Sequence, residues 1–443
     1  MALGNVFMTD LDGNIGTGSP ASTEKVCGLL FDISQQTNFW TSEKGSEVAG
    51  VLKDSVIELN SLDDAVKIGI TNENTLDGKP EDDLLCGIPY YHINHFFTAA
   101  GGSGRLFIAF ADCSSNWNAI IDMQKAAVGV ISQFGVWTEQ TLWTCSNAES
   151  PLYSIESLVT DLQSTAESLA NNYNAPASIL LCANSSRIRT EVLELIPTEV
   201  LLSKIPPCII GARYVTVLLG QGLDSEVATM QALLESTTPV GCVGAALGCL
   251  TRASVAESIG WVQNFDLAGY FPDIEFGFGD SALNDESRLT STSKYSSLSS
   301  FELDGLDTKG YVFLVKYTGL EGHVYFSGDQ TCSNGDYRTI ARNRAINKSR
   351  RSVRATLLPY VNSPIKVDPA TGYLSSAQSV IFSNLVSDIL QSMVNAEEIS
   401  GFTVKVPANQ NVLQTDTLLI QYSLIPIGTA KAINVTESLA VKK

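Results

Sequence analysis

The chain has three histidines, and two of them, His92 and His95, stand three residues apart behind Cys86. An imidazole pair and a thiolate hold zinc when a full ligand set converges. Here only these candidates occur together, their spacing fits no standard pattern, and His323 lies far along the sequence. Flanked by Tyr90 and Phe96, the two rings read as structural histidines. The segment DLDGNIG at 10–16 sets Asp10, Asp12 and Asn14 at the first, third and fifth positions of a calcium loop. Ile15 stands where the turn glycine belongs and Ala21 where the bidentate glutamate belongs, so a turn is the better reading. Gly101, Gly102 and Gly104 precede a strand, whereas phosphate-cradling loops follow one and open a helix with Lys-Ser/Thr. With so few histidines and no nucleophile motif, no triad can be built. No catalytic, metal or cofactor-binding residue is assigned, and no cofactor is expected.

Composition bounds the remaining classes. A chain of 443 residues holds two or three domains with real cores. Its net charge of -19 argues against a general nucleic-acid or membrane-surface binder. Charged residues are only 17%, which suggests a surface largely covered by other subunits. The nine cysteines form no C-x-x-C pair, and Cys182 and Cys208 sit in apolar runs. They read as buried, reduced thiols of a protein made in a cytoplasm. No signal peptide and no membrane span are expected, because no apolar run approaches the required length.

The elements that would position any site alternate in type. Arg105–Phe110, Ser178–Ala183 and Tyr214–Leu219 read as buried strands. Helices are expected at Trp117–Ser132, Tyr153–Asn172 and Ser225–Glu235. Strands alternating with helices imply an α/β layered fold, here with mixed α+β character. Residues 281–299 are rich in Ser and Thr and read as an exposed connection. Beyond them, Tyr311–Tyr317 alternates as a strand, with Val324–Phe326 as its partner. Ser375–Glu398 reads as a helix capped by Ser375 or Ser376, with Phe382, Leu385, Val386, Ile389 and Met393 on one stripe. Thr417–Ile425 and Ala432–Thr436 read as strands. At the other end, Leu3–Met8 has the length of a single strand, which needs a sheet to join.

One block inverts the sign of the chain. Seven of its 28 Lys and Arg lie between Arg338 and Arg354. On a helical wheel Ile346, Val353 and Leu357 share a face, and Arg344, Lys348 and Arg351 lie opposite. Three readings fit: a solvated face paired with local carboxylates, a docking face for an acidic protein, or a nucleic-acid contact. No nucleic-acid recognition motif accompanies the block.

The order strand pair, basic helix, amphipathic helix, strand ending in Ile425-Pro426-Ile427, final strand resembles the C-terminal region of contractile tail sheath proteins. These belong to myophage tails and phage-derived contractile injection systems. The matching segments are GYVFLVKYTGLEGHVYFSGDQT (310–331), DYRTIARNRAINKSRRSVRATLLPYV (336–361) and LLIQYSLIPIGTAKAINV (418–435), with the chain start and FFTAAGGSGRLFIAF (96–110) also similar. The resemblance implies a tube-proximal sheath domain from residues 1–30 and 300–443, an outward-facing α/β domain over 31–280, and 281–299 as the connection. It implies a helical homopolymer linked by exchanged terminal strands, with Leu3, Val6, Met8, Ile433 and Val435 as candidate inter-subunit strand residues. It turns the basic helix toward an inner tail tube protein, with Arg344, Lys348 and Arg351 as docking candidates. Baseplate and tail terminator proteins are the further partners implied, with no nucleic acid and no membrane insertion. The resemblance further implies that the sheath hydrolyses no nucleotide and contracts once to drive the tube forward, in a virion tail or an injection particle. The readings left as alternatives are an α/β enzyme with a hidden site and another tail component, such as a tube or baseplate protein.

Overall fold

The structure is a computed structural model. It describes residues 23–34, 55–70, 84–102, 104–141, 143–145, 151–153, 155–184, 205–221, 240–271, 274, 295 and 298–439. The expected strand Leu3–Met8, the calcium-like segment at 10–16, the helix at Ser225–Glu235 and most of the 281–299 connection lie outside these residues.

A seven-stranded sheet organises the fold. In chain order its strands are β1 (Val26–Asp32), β2 (Val56–Leu59), β3 (Arg105–Ala111), β4 (Gln133–Thr141), β7 (Ser178–Asn184), β8 (Val215–Leu218) and β9 (Tyr311–Val312). The short pair β5 (Trp143–Cys145) and β6 (Pro151–Tyr153) lies apart. The order across the sheet is β2-β3-β1-β4-β7-β8-β9, parallel throughout except that edge strand β2 runs against β3.

Every residue of β1 is buried, as expected of a central parallel strand covered on both faces. Alternate side chains divide between the faces. Cys27, Leu29 and Phe31 point into one core, against α2 (Leu84–Ala99) and α5 (Val243–Arg252). Val26 and Leu30 point into the other, against α3 (Asn118–Ala126) and α4 (Ile155–Asn171). The result is a doubly wound three-layer α/β/α unit. Helix α1 (Leu62–Lys67) follows β2 and is N-capped by Ser61, whose hydroxyl accepts from Asp64 N.

Helices α2 and α5 approach unusually closely. A Cβ at Gly244 would lie 2.0 Å from the His92 carbonyl oxygen, and one at Gly248 would lie 2.5 Å from that of Phe96. Only glycine permits this contact. The glycine-rich turn after α2 is structural too: Gly101 and Gly102 have φ of 74° and 76°, and Gly102 N–H closes the helix end on Phe97 O.

Residues 26–30 and 311–312, both expected in a unit made by the chain ends, lie in this sheet beside strands of the expected middle unit. The expected strand 311–317 is two strands. Tyr311–Val312 pairs with β8, and β10 (Leu314–Val315) pairs antiparallel with β11 (Tyr325–Phe326). Ser327 Oγ accepts from Phe313 N, and the Gln221 amide bonds both backbone groups of Leu314, so side chains complete the ladder at the break.

After α6 (Ser300–Thr308), which carries a capping box of Ser299 and Glu302, and β9–β11, the chain builds a second layer. It comprises α7 (Ile340–Leu357), α8 (Ser376–Asn395), β12 (Ile399–Lys405), α9 (Val412–Thr415) and β13 (Gln421–Pro426). Ser375 caps α8 by accepting from Gln378 N. Phe382, Val386, Leu390 and Met393 bury the α8 stripe, most of it against the β12–β13 pair.

Candidate assembly interface

Two expectations about chemistry meet the structure first. His92 and His95 are buried among aromatic rings, with ring centroids 5.3 and 4.1 Å from that of Tyr91. Burial lowers their pKa values from the ordinary 6.5 to about 3 and about 4, so both are neutral. Among the described residues no group of three or more His, Cys, Asp or Glu is placed to hold a metal. Burial also raises the thiol pKa of Cys27 to about 11, and of Cys182 and Cys249 to about 12, which makes them unreactive.

A doubly wound sheet takes ligands at the carboxyl ends of its strands, and there, at β1, β3 and β4, the described residues place a buried carboxylate. Asp32, at the end of β1, is 1% exposed. Its Oδ1 accepts from Ser34 N at 3.0 Å and Cys113 N at 3.1 Å. Its Oδ2 accepts from Thr138 Oγ1 at 2.7 Å and Gln140 Nε2 at 2.9 Å. The carboxylate therefore ties together the ends of β1, β3 and β4. Nothing in the sequence around Asp32 marks it out, because its partners other than Ser34 lie 81 to 108 residues away.

The basic helix α7 turns out to face inward. Arg344 is 1% exposed and donates to Ser254 O at 3.0 Å and Ala253 O at 3.3 Å. Lys348 pairs with Glu398, and Arg351 pairs with Glu24 while also donating to Pro176 O. Arg350 donates to Tyr214 Oη at 3.2 Å and Ala170 O at 3.3 Å. Ala253 and Ala170 sit at the C-terminal ends of α5 and α4, where unpaired carbonyls and the helix dipole leave partial negative charge. At its own start, α7 is capped by Thr339, and the buried Asp329 carboxylate accepts from Ala341 N.

The wheel had placed Arg344, Lys348 and Arg351 on an outward face; the structure corrects this. Their negative partners lie within the chain itself: the α5 end for Arg344, Glu398 for Lys348 and Glu24 for Arg351. A signal was present. From Tyr337 to Lys366 the sequence contains no Asp or Glu, so these cations had no carboxylate within helical reach and needed distant ones.

The accessible candidate features lie elsewhere. Strands β12 and β13 form a two-stranded antiparallel sheet, and among the described residues no further strand pairs with either. One face, with Phe402, Val404, Tyr422 and Leu424, rests on α8; on the other, Thr403 and Ser423 hydroxyls meet at 2.6 Å. The outer edges present unpaired backbone groups.

Next comes the segment 427–439. Ala432–Thr436, expected as a strand, forms no ladder among the described residues. Ile433 and Val435 are 81% and 82% exposed, far above the usual exposure of such side chains. Leu3, Val6 and Met8 lie outside the described residues. The root of the segment is fixed: Lys431 Nζ donates to Asp307 at 2.6 and 2.8 Å and to Gln330 Oε1 at 3.1 Å. No helix of the described residues is long and apolar enough to cross a membrane.

Comparison with known proteins follows the same division of the chain. The DUF2586 N-terminal domain matches residues 3–330, and the DUF2586 C-terminal domain matches residues 336–442. No curated protein matches. Among solved structures, the chain is similar to one in the 6-fold symmetrised cryo-EM structure of the anti-feeding prophage (AFP) baseplate. That match has 13% identity and a TM-score of 0.54 and covers 100% of both chains. It is also similar to a chain of the PVC sheath complex of an extracellular contractile injection system in the contracted state. There the identity is 12% and the TM-score 0.53, over 100% of this chain and 98% of the other. At such identities the likeness is one of fold, extending end to end through both layers.

Proposed function

The chain belongs to the DUF2586 family, and from that premise we propose that it is a structural subunit of a contractile tail sheath. Copies polymerise helically around an inner tube and shorten once to drive that tube through a target envelope. The observation that carries this reading is the segment 432–439, which alternates at Ala432–Thr436, is exposed and has no strand partner among the described residues, in a chain whose β12–β13 pair keeps open edges. A strand with exposed Ile433 and Val435 completes its hydrogen bonds only on another sheet edge. Donated from copy to copy, such a strand makes a head-to-tail contact that does not close, which generates a helix. Contraction then needs no chemistry. It needs two packings of rigid subunits, with the extended one metastable, and tethers that survive the change. The end-to-end fold likeness to a PVC sheath chain supports the same reading.

The partners that follow are further copies of the chain, an inner tube protein, and baseplate and terminator proteins at the two ends. The inward-facing cations of α7 move the tube contact to other surfaces, for which the exposed Val380 and Ile381 of α8 are the leading candidates. A second reading, a baseplate component, is favoured by the fold likeness to an AFP baseplate chain. The two separate on assembly. Negative-stain imaging of the purified, concentrated chain should give tubes of indefinite length. Closed rings would favour the baseplate reading, and a small monodisperse oligomer would count against both.

A further inference from the structure

We infer that Lys431 is a clamp that sets the free length of the C-terminal arm; this rests on the strand-donating reading above. The segment leaves β13 at Pro426 and is exposed from Gly428 onward, yet it is tied back at one point. Lys431 Nζ donates to both carboxylate oxygens of Asp307 on α6 and to the side-chain Oε1 of Gln330. Gln330 is held in turn, donating to Asp307 Oδ1 at 2.8 Å and to Tyr311 O at 2.6 Å. The anchor is therefore the edge of the seven-stranded sheet, not another mobile loop. Packing at Gly328 belongs to the same arrangement, since a Cβ there would lie 2.5 Å from Gln330 Oε1 and 3.3 Å from Lys431 Nζ.

The consequence is one of reach. At about 3.3 Å per extended residue, the arm from Lys431 to Leu439 spans roughly 26 Å. Released at Lys431 and pivoting at Pro426, the same arm spans roughly 43 Å. A shorter tether raises the effective concentration of the strand at a neighbouring edge and narrows the subunit spacings it can bridge. In a lattice that must keep its links while its spacing changes, the clamp fixes the tolerated range. Lys431 is half exposed, so its hold is modest and screened by salt.

The test uses the full chain with Asp307→Asn, Lys431→Gln, the exchanged pair Lys431→Asp with Asp307→Lys, and a variant ending at Lys431. Lys431 is also a tryptic site, which gives a readout on the unassembled protein. Asp307→Asn should speed cleavage after Lys431 roughly 2- to 5-fold at low salt, the range expected of a half-exposed ion pair. Lys431→Gln should still form tubes, at a critical concentration raised by a similar factor and with a broader spread of axial rise. The exchanged pair, which no longer carries the tryptic site, should restore the critical concentration and the narrow axial rise. Unchanged tryptic rates and unchanged tubes, with the variant ending at Lys431 failing to assemble, would overturn the clamp and leave strand donation standing. Normal tubes from the variant ending at Lys431 would overturn strand donation, and the clamp with it.

Discussion

Replacing Arg344 with methionine asks whether the basic helix is a strut inside the chain or a face for a partner. The guanidinium is 1% exposed and donates to the carbonyls of Ser254 and Ala253. Methionine keeps most of the stem and donates nothing. Hydrogen bonds from a charged group contribute about 1.5–3 kcal/mol each, so losing two costs roughly 3–6 kcal/mol. Desolvation works in the other direction. Burial lowers the Arg344 pKa, with the Glu24 carboxylate opposing, and that strain disappears when the charge does. The net expectation is a loss of about 3 kcal/mol, the low end of what breaking a buried charge network costs. An unfolding entropy of about 2.1 cal/mol/K per residue over 443 residues converts this to a Tm lowered by about 3 °C for one cooperative transition. The assay is calorimetric melting with a denaturant titration, beside the exposed Lys405→Met, which should stay within about 0.5 kcal/mol of the parent. An Arg344→Met chain that melts with the parent but fails only in assembly would refute the strut and restore the docking face. Reversing all three cations to Glu would not discriminate, since it sets buried carboxylates beside Glu24 and Glu398.

Three further outcomes follow from the packing. Gly244→Ala puts a Cβ 2.0 Å from the His92 carbonyl oxygen; a loss of about 3 kcal/mol or more, or insoluble protein, is expected by denaturant titration. Asp32→Asn turns one acceptor of the strand-end cluster into a donor facing another donor, and should cost about 2–4 kcal/mol in the same assay. His92 and His95 have folded pKa values of about 3 and about 4, below the ordinary 6.5. The unfolded chain thus takes up protons that the folded chain refuses. Their contribution is fully present above pH 6.5 and falls as pH drops toward 4, by about 2–3 kcal/mol per histidine at pH 4.5. The double variant His92→Leu, His95→Leu should show a shallower dependence of stability on pH between 6.5 and 4.5, and an unchanged slope would contradict the neutral assignment.

Local signals carried the sequence reading a long way where burial and periodicity agree. Ser375 capping α8, the α8 stripe, and the apolar runs of β3, β7 and β8 were all legible, because each is decided within a few residues. The basic helix was legible as a helix but not in its orientation. Its partners Glu24, Ala170 and Ser254 lie from 90 to 327 residues away, and a wheel counts charge without knowing where counter-charge arrives. Tyr311–Tyr317 alternated correctly but was divided by sheet topology, with Gln221 and Ser327 completing the ladder at the break. Ala432–Thr436 has the pattern of a strand and no strand partner among the described residues, so its alternation alone did not decide its structure.

The most direct measurement is a helical cryo-EM reconstruction of the assembled protein, examined at β12–β13. A sheath built by strand donation should show residues 432–439 of one copy hydrogen-bonded along an open edge of that pair in the next, with Ile433 and Val435 buried. A closed ring, or a polymer in which both edges stay bare and Ile433 remains in solvent, would contradict it.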